Sequence, residues 1–256
     1  MGDWEPNRYL QYADERSRPF ADLLTRINAE DPRHVVDLGC GPGQLTSRLA
    51  DRWPAAEVLG LDSSPAMIET AHQQEHPRVR FELADLRTWT PSEPVDVVIS
   101  NAALQWVPGH RALFPGFVSA LGPGGWFAFQ VPANFGEPSH TLLRRLAEDP
   151  RFRDHTAELA WPAVAEPQDY LHDLADLRCV VSAWETTYLH VLTGNDPVFA
   201  WVSSTGARPV LQALPEERRR EFELDYRAQL RRAYPARSYG TVLPYRRIFV
   251  VAQVNG

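Results

Sequence analysis

The chain has 256 residues, 44% of them hydrophobic and 23% charged, which suits a soluble domain with a packed core. Its formal net charge of −7 argues against broad nucleic-acid binding, because such binding depends on neutralising phosphates. No apolar run is long enough to span a membrane and the first residues lack the pattern of a signal peptide, so a cytoplasmic protein without a membrane partner is expected.

The first half of the chain alternates between strand-like and helical patterns. Residues 7–30 are predicted to be helical, with a break or kink before Pro19. Apolar segments then alternate with helical ones from residue 33 to 131, which indicates right-handed βαβ units around a parallel sheet. The predicted strands are 34–39, 57–62, 79–85, 95–101 and 126–131. The predicted helices are 44–53, 64–75 with Ser64 as its cap, and 110–121, followed by a turn at 122–125.

The second half is less regular. Helices are predicted at 140–150 and 167–177, and long strands at 179–192 and 243–254. A polar helical stretch of roughly 195–235 separates these two strands. This order predicts a sheet edge that carries a helical cap.

Three glycines follow the first predicted strand, at Gly39, Gly41 and Gly43. A nucleotide-like ligand needs such a sequence where it approaches the backbone too closely for a side chain. The dinucleotide fingerprint would need a glycine where Gln44 stands, so a dinucleotide is disfavoured. Asp37 precedes the loop by two residues and could orient the ammonium group of an amino acid.

Acids also stand at the ends of the next two predicted strands. Asp62 could receive both hydroxyls of a ribose, and Asp85 could accept a hydrogen bond from the amino group of adenine. A ribose and an amino acid without a pyrophosphate point to S-adenosylmethionine. Asn101 ends the fourth strand, beside the expected position of the transferred methyl group. The predicted cofactor-binding residues are Asp37, Gly39, Gly41, Gly43, Asp62, Ser63, Asp85, Leu86 and Asn101.

The stretches "DLGCGPGQLT", "GLDSSPAMIETA", "ADLRTW" and "NAALQWVP" resemble the motifs of class I S-adenosylmethionine-dependent methyltransferases. The resemblance implies an α/β, Rossmann-like fold with a mostly parallel seven-stranded sheet and helices on both faces. It also implies an N-terminal helical lid over residues 1–32 and a cofactor-binding core over 33–194 and 236–256. A helical substrate cap over 195–235 is then inserted between the last two strands.

Stretches outside the cofactor motif, such as "ANFGEPSH" and "WVSSTGARPVLQAL", resemble members of this family that methylate a carboxylate of a small tricarboxylic acid. A carboxylate is already ionised at pH 7, so the implied enzyme needs no general base and no catalytic residue beyond those that position the substrate. All 26 basic residues are arginines, whose forked donors suit the other carboxylates. The implied substrate-binding residues are Tyr9, Tyr12, Arg16, Trp106, His140, Tyr188, Trp201, Arg208 and Arg247, with Arg18, His190 and Arg246 as further candidates.

Two other functions stay open on the sequence. One is a carboxyl methyltransferase for another small acid or for a carboxylate linked to an acyl carrier. The other is a noncatalytic module that binds S-adenosylmethionine or NAD. No metal is expected, because the two cysteines and eight histidines show no zinc-ligand spacing. A monomer is expected, with a homodimer as the alternative.

Overall fold

A computed structural model describes residues 13–74 and 76–255. The described residues form a seven-stranded sheet in the order β3-β2-β1-β4-β5-β7-β6. Strands β1 to β5 are parallel to their neighbours in this order, and β7 pairs antiparallel with β5. This arrangement confirms the predicted, mostly parallel sheet. The strands are β1 His34–Leu38, β2 Glu57–Asp62, β3 Val79–Leu83, β4 Val95–Asn101, β5 Leu121–Pro132, β6 Cys179–Leu192 and β7 Thr241–Val254.

Helices connect most of these strands. They are α1 Ala13–Leu24, α2 Gln44–Arg52, α3 Pro65–Ala71, α4 Phe114–Ser119, α5 Pro138–Ala147, α6 Arg153–Thr156, α7 Pro167–Asp176, α8 Pro197–Ser203, α9 Arg208–Ala213 and α10 Glu216–Ala233. Ser64 caps α3 as predicted, because its side chain accepts a hydrogen bond from the backbone N–H of Met67. None of the helices in the described part of the chain is long and apolar enough to cross a lipid bilayer.

The chain folds as two compact units. The strand-rich unit contains 13–132, Val164–Thr186 and 247–255, apart from residue 75, and its core is built on buried residues of β1, β4 and β5. The helical unit contains Ala133–Ala163 and Thr187–Arg246, and α10 packs there against α5. The boundaries of the lid and the cap stay predictions.

Two local predictions differ from the structure. The described part of the first helical segment is not broken at Pro19, which lies inside α1; Phe20 and Leu23 are fully buried there, and that packing offsets the loss of one backbone hydrogen bond. The predicted turn at 122–125 is a bulge inside β5. Val95 of β4 pairs with Leu121 and Val97 pairs with Trp126, so the residues between them loop out of the ladder.

The strand order places the candidate site. From β1 the chain moves outward to β2 and β3, and it then crosses to the other side of β1 to form β4 and β5. Ligands of open parallel sheets bind outside the carboxyl ends of the strands where the strand order reverses in this way. The glycine loop follows β1 and Asn101 ends β4, so both lie at this edge.

Candidate functional site

The loop after β1 bends through three glycines in the left-handed region, with φ of 79° at Gly39, 56° at Gly41 and 85° at Gly43. A Cβ at Gly39 would lie 2.2 Å from the Cβ of Ala103, and one at Gly43 would lie 2.7 Å from Cζ of Phe81. A Cβ at Gly41 would meet no described atom within 4 Å. Protein packing therefore requires glycine at the first and third positions, whereas the second faces open space.

The carboxylate of Asp62, at the end of β2, ties the glycine loop to the start of α3. Its Oδ2 accepts a hydrogen bond from the backbone N–H of Gly41 at 3.0 Å, and its Oδ1 accepts one from the backbone N–H of Ser64 at 2.8 Å. Burial raises the pKa of Asp62, and hydrogen bonds from the backbones of Ser64, Gly41 and Ser63 oppose that rise. Ser63 itself is exposed.

Asp37 is a buried acid on β1, and its side chain is 2% exposed. Its Oδ2 accepts a hydrogen bond from the hydroxyl of Thr46 on α2 at 2.7 Å, whereas Oδ1 has no hydrogen-bond partner among the described residues. Burial raises the pKa of Asp37 to about 7, the Thr46 hydroxyl opposes this, and the charge of Asp62 adds to it. The site thus contains a buried carboxyl group that titrates near neutral pH.

Asp37→Asn is expected to remove a pH-dependent loss of stability. The pKa of Asp37 is raised in the folded protein, so folded molecules keep a proton that unfolded ones release between about pH 4 and pH 7. The free energy of unfolding should therefore fall over this range, by up to about 4 kcal/mol from this group at about 1.4 kcal/mol per pKa unit. Chemical denaturation of both ligand-free proteins from pH 4 to pH 8 measures the difference, and parallel pH profiles would contradict it.

Asp85 follows β3 and is paired locally. The guanidinium of Arg87 contacts its carboxylate at 2.5 and 2.9 Å, and the backbone N–H of Arg87 donates to Oδ1 at 2.9 Å. These hydrogen bonds lower the pKa of Asp85, which therefore stays ionised at neutral pH. Leu86 is half-buried in the turn between them, which the backbone of Thr88 closes by a hydrogen bond to Asp85.

A row of three hydrogen-bonded polar side chains runs from the middle of β7 to the carboxyl ends of β5 and β4. Nη1 of Arg247 donates to Oε1 of Gln130 at 3.0 Å, and Nε2 of Gln130 donates to Oδ1 of Asn101 at 2.6 Å. Gln130 and Asn101 are register partners, and Arg247 pairs with Pro132 at the end of β5. Gln130 is 1% exposed and Arg247 4% exposed, so the contact between them is buried. The structure therefore brings together two predicted site residues through one that the sequence reasoning missed.

The backbone is strained at Ala102, the residue after Asn101. Ala102 has φ of 56°, which costs an alanine energy that glycine would not pay. Its N–H donates to the carbonyl of Gln130 at 2.9 Å, and its own carbonyl accepts a hydrogen bond from the side chain of Gln105 at 2.5 Å. The bend brings Ala103 against Gly39, so the end of β4 and the glycine loop are packed as one piece.

In the helical unit, aromatic side chains surround His190. Its ring stacks on Trp201 with centroids 4.7 Å apart, lies parallel to Tyr188 at 6.3 Å and is tilted against Tyr245 at 5.9 Å. All four side chains are buried. The predicted residues Tyr188 and Trp201 are thus brought together, with Tyr245 as an addition that the sequence analysis did not include.

His140 occupies a separate place in the helical unit, in the first turn of α5. Its ring meets Phe135 edge-on at 5.3 Å, and its Nδ1 lies 3.1 Å from the hydroxyl of Ser139. Burial lowers the pKa of His140 to about 4, and the charge of Arg144 contributes. A Cβ at Gly206 would lie 2.7 Å from its Nε2, so the imidazole packs directly on that glycine. His140 is therefore neutral at pH 7.

The remaining predicted substrate-binding residues are Trp106, Arg208, Tyr9, Tyr12 and Arg16. Trp106 is half-buried at the end of a short 3₁₀ helix, Leu104–Trp106, and Arg208 is half-buried at the start of α9. Tyr9 and Tyr12 lie outside the described residues. Arg16 lies in α1, but its side chain is outside the described part of the structure.

Gln130 and Thr46 are absent from the predicted site residues, and the sequence indicates them to different degrees. Gln130 interrupts the apolar run "WFAFQV", and a polar residue within a buried strand is a signal that could have identified it. Thr46 resembles any polar residue of an amphipathic helix, so nothing local indicates its bond to Asp37.

Residues 35–125 match the family described as a methyltransferase domain. The YcgJ protein of Bacillus subtilis has a similar fold, with a TM-score of 0.61 at 11% sequence identity over 94% of this chain and 99% of that one. The matched segment is accordingly a methyltransferase domain, and the fold is Rossmann-like.

Full-length relatives narrow this class. The chain is 50% identical to the trans-aconitate 2-methyltransferase of Streptomyces avermitilis over 97% of its own length and 96% of the relative's. It is also 50% identical to the trans-aconitate 2-methyltransferase of Streptomyces coelicolor, over 98% of its own length and 86% of the relative's. The chain belongs to the trans-aconitate 2-methyltransferase family.

Proposed function

We propose that the chain transfers a methyl group from S-adenosylmethionine to one carboxylate of trans-aconitate, giving the monomethyl ester and S-adenosylhomocysteine. The observation that carries this proposal is the 50% identity, over nearly the whole chain, to relatives named for that reaction. The lid, the cap and a monomeric state, with a homodimer as the alternative, belong to the same proposal.

The described residues fit the cofactor chemically. The buried Oδ1 of Asp37 has no described hydrogen-bond partner and would suit an ammonium group. Gly41 faces open space, so the main chain there can be approached closely. The carboxylate of Asp62 accepts backbone hydrogen bonds, among them those from Gly41 and Ser64, and its two oxygens have about four acceptor positions, so it could still accept from a ribose hydroxyl. Asp85 would accept from the adenine amino group.

When bound, the cofactor would supply an electrophilic methyl group on a sulfonium. The substrate carboxylate is ionised at neutral pH, so the protein has no proton to remove. Its task is then to hold a carboxylate oxygen in line with the methyl group and to exclude water. We assign the carboxylate-binding role first to Arg247, which pairs with the end of β5 and whose guanidinium donates to Gln130. Trp106, His140, Tyr188, Trp201 and Arg208 stay predicted substrate residues, as do Tyr9, Tyr12 and Arg16.

The test is a methylation assay with methyl-labelled S-adenosylmethionine and a panel that contains trans-aconitate, cis-aconitate and citrate. Mass spectrometry should show one added methyl group on trans-aconitate, with the highest kcat/KM of the panel. A labelled product from another acid, with none from trans-aconitate, would overturn the substrate assignment. S-adenosylhomocysteine binding without methyl transfer to any acid would favour a noncatalytic module.

The same assay separates a carboxylate nucleophile from one that must lose a proton. With a carboxylate, kcat should stay level from pH 7 to pH 9 because the reacting oxygen is already ionised. A steep rise of kcat over that range would indicate a base or a hydroxyl nucleophile and would contradict carboxyl methylation.

A further inference from the structure

Arg144 is a half-buried arginine of α5 in the helical unit. Its Nη2 donates to the carbonyl of Phe135 at 3.2 Å, and its Nε is buried without a hydrogen-bond partner in the described part of the chain. No carboxylate of the described residues forms an ion pair with it, although other arginines of the helical unit have such pairs. A guanidinium carries five N–H donors, so the described protein leaves most of those of Arg144 unused.

The side chain of Arg144 runs back toward the beginning of α5. Arg144 lies in the last turn of this helix, yet its guanidinium contacts the carbonyl of Phe135, which precedes the first helical residue. Its charge also contributes to the lowered pKa of His140, in the first turn. The N-terminus of a helix carries a partial positive charge, so this place disfavours a cation and favours an anion.

The described groups that contact the guanidinium are neutral. One is the carbonyl of Phe135, and another is the indole of Trp161, whose ring centroid lies 5.6 Å from Cζ of Arg144. His140 is neutral at pH 7, because burial lowers its pKa to about 4. A partly buried charge without a counter-ion costs free energy, and a bound anion would offset that cost.

Arg227 on α10 shows the alternative arrangement in the same unit. Its side chain is 30% exposed, and its Cζ lies 3.6 Å from the ring centroid of Phe199. Two carboxylates neutralise it, that of Asp196 at 3.4 Å and that of Glu223 at 2.9 Å. The fold therefore supplies the counter-ions of Arg227, whereas the described residues supply none for Arg144.

We propose that Arg144 binds a carboxylate of the acid substrate, other than the one that receives the methyl group. A carboxylate accepts two parallel hydrogen bonds from a guanidinium, so it matches the unused donors and supplies the missing charge. This inference rests on the proposed function, because it takes trans-aconitate, with three carboxylates, as the substrate. It adds a second arginine to the carboxylate-binding role assigned to Arg247.

Arg144→Gln removes the charge and most of the donors, while its amide can still donate to the carbonyl of Phe135. The KM for trans-aconitate should rise at least tenfold, with a smaller change in kcat. Arg144→Lys keeps the charge but loses the forked geometry, so its KM should lie between those of the wild type and the glutamine variant. The affinity for S-adenosylhomocysteine should change less than threefold in calorimetry for both variants.

A purely structural role would give another pattern. If Arg144 only held the backbone at Phe135, Arg144→Gln would lower the melting temperature, and the molecules that stay folded would have the wild-type KM. A wild-type KM in Arg144→Gln would therefore overturn the assignment, whatever the melting temperature.

Three dicarboxylic acids test the contact from the side of the substrate. Itaconate, glutaconate and mesaconate each lack one carboxylate of trans-aconitate, and each can be measured as an inhibitor of its methylation. Arg144→Gln should raise the inhibition constants of two of them and leave the third within threefold, because that acid lacks the carboxylate that Arg144 binds. An equal rise for all three would indicate a general distortion of the site and would contradict the proposal.

Arg145→Gln and Arg227→Gln are the matched controls. Arg145 is the exposed neighbour of Arg144 on α5, so its replacement removes the same charge and should leave the KM unchanged. Arg227→Gln should lower the melting temperature without raising the KM, because it breaks ion pairs within the fold. If the wild type methylates trans-aconitate but Arg144→Gln has the wild-type KM, the role of Arg144 is wrong and the proposed function stands. If the wild type does not methylate trans-aconitate, the proposed function fails and this inference fails with it.

Discussion

Gly39→Ala should raise the dissociation constant of S-adenosylhomocysteine at least a hundredfold and should lower the melting temperature. An alanine with φ near 79° costs roughly 1–2 kcal/mol in the left-handed region. The added Cβ would also lie 2.2 Å from the Cβ of Ala103, closer than two carbon atoms can approach. Ala103 follows the strained Ala102, so relief of this contact requires the glycine loop or the end of β4 to shift. Calorimetric titration and thermal unfolding measure the two effects.

Two further variants separate the parts of this effect. Gly124 has φ of 74°, and a Cβ there would meet no described atom within 4 Å, so Gly124→Ala should cost only the backbone term and leave the affinity intact. Combining Gly39→Ala with Ala103→Gly removes the steric contact and should restore most of the affinity. A double variant that binds no better than Gly39→Ala would show that contact with Ala103 is not the cause.

Asp62→Ala should weaken S-adenosylhomocysteine binding by at least tenfold. The substitution removes the acceptors proposed for the ribose hydroxyls, and hydrogen bonds to a charged group contribute about 1.5–3 kcal/mol each. It also releases the backbone N–H groups of Gly41 and Ser64, so the loop itself becomes less ordered. Both effects act in the same direction on calorimetric affinity.

The controls for Asp62 lie on the same strand. Asp62→Asn keeps one oxygen acceptor and should lose less affinity than Asp62→Ala. Glu57 begins β2 and forms an exposed ion pair with Arg80 at 2.8 Å, so Glu57→Ala should leave the affinity unchanged. Wild-type affinity in Asp62→Ala would remove Asp62 from the cofactor site.

The predictable parts of this fold are those that depend on near neighbours in the sequence. Each strand is an apolar or alternating run, and Ser64 with the following proline marks a helix start within a few residues. The sequence predicts a turn at 122–125, where the structure has a bulge, because the geometry there depends on where β5 pairs with β4. Glycine and proline mark irregular backbone without saying whether the chain reverses there.

The candidate site shows the same limit more clearly. Asp37, Asp62 and Asn101 could be placed from strand ends alone, since the carboxyl ends of parallel strands share an edge. The partners of Gln130 stand 29 and 117 residues away in the chain, and only the assembled sheet reveals them. Arg247 was predicted as a substrate cation, but its buried position and its hydrogen bond to Gln130 were not.

The position of β7 has a consequence for how the enzyme folds. This strand follows β6 in the chain but lies between β5 and β6, and its pairs with β5 join residues as distant as Trp126 and Gln253. Strands β1 to β4 can meet through short connections, whereas closing the long loop to β7 carries a larger entropic cost and a slower rate. The row of polar side chains from Asn101 to Arg247 is complete only after that step. A refolding molecule is therefore expected to form the parallel part of the sheet first, and to complete the hydrogen bonds from Arg247 to Asn101 only when β7 inserts between β5 and β6.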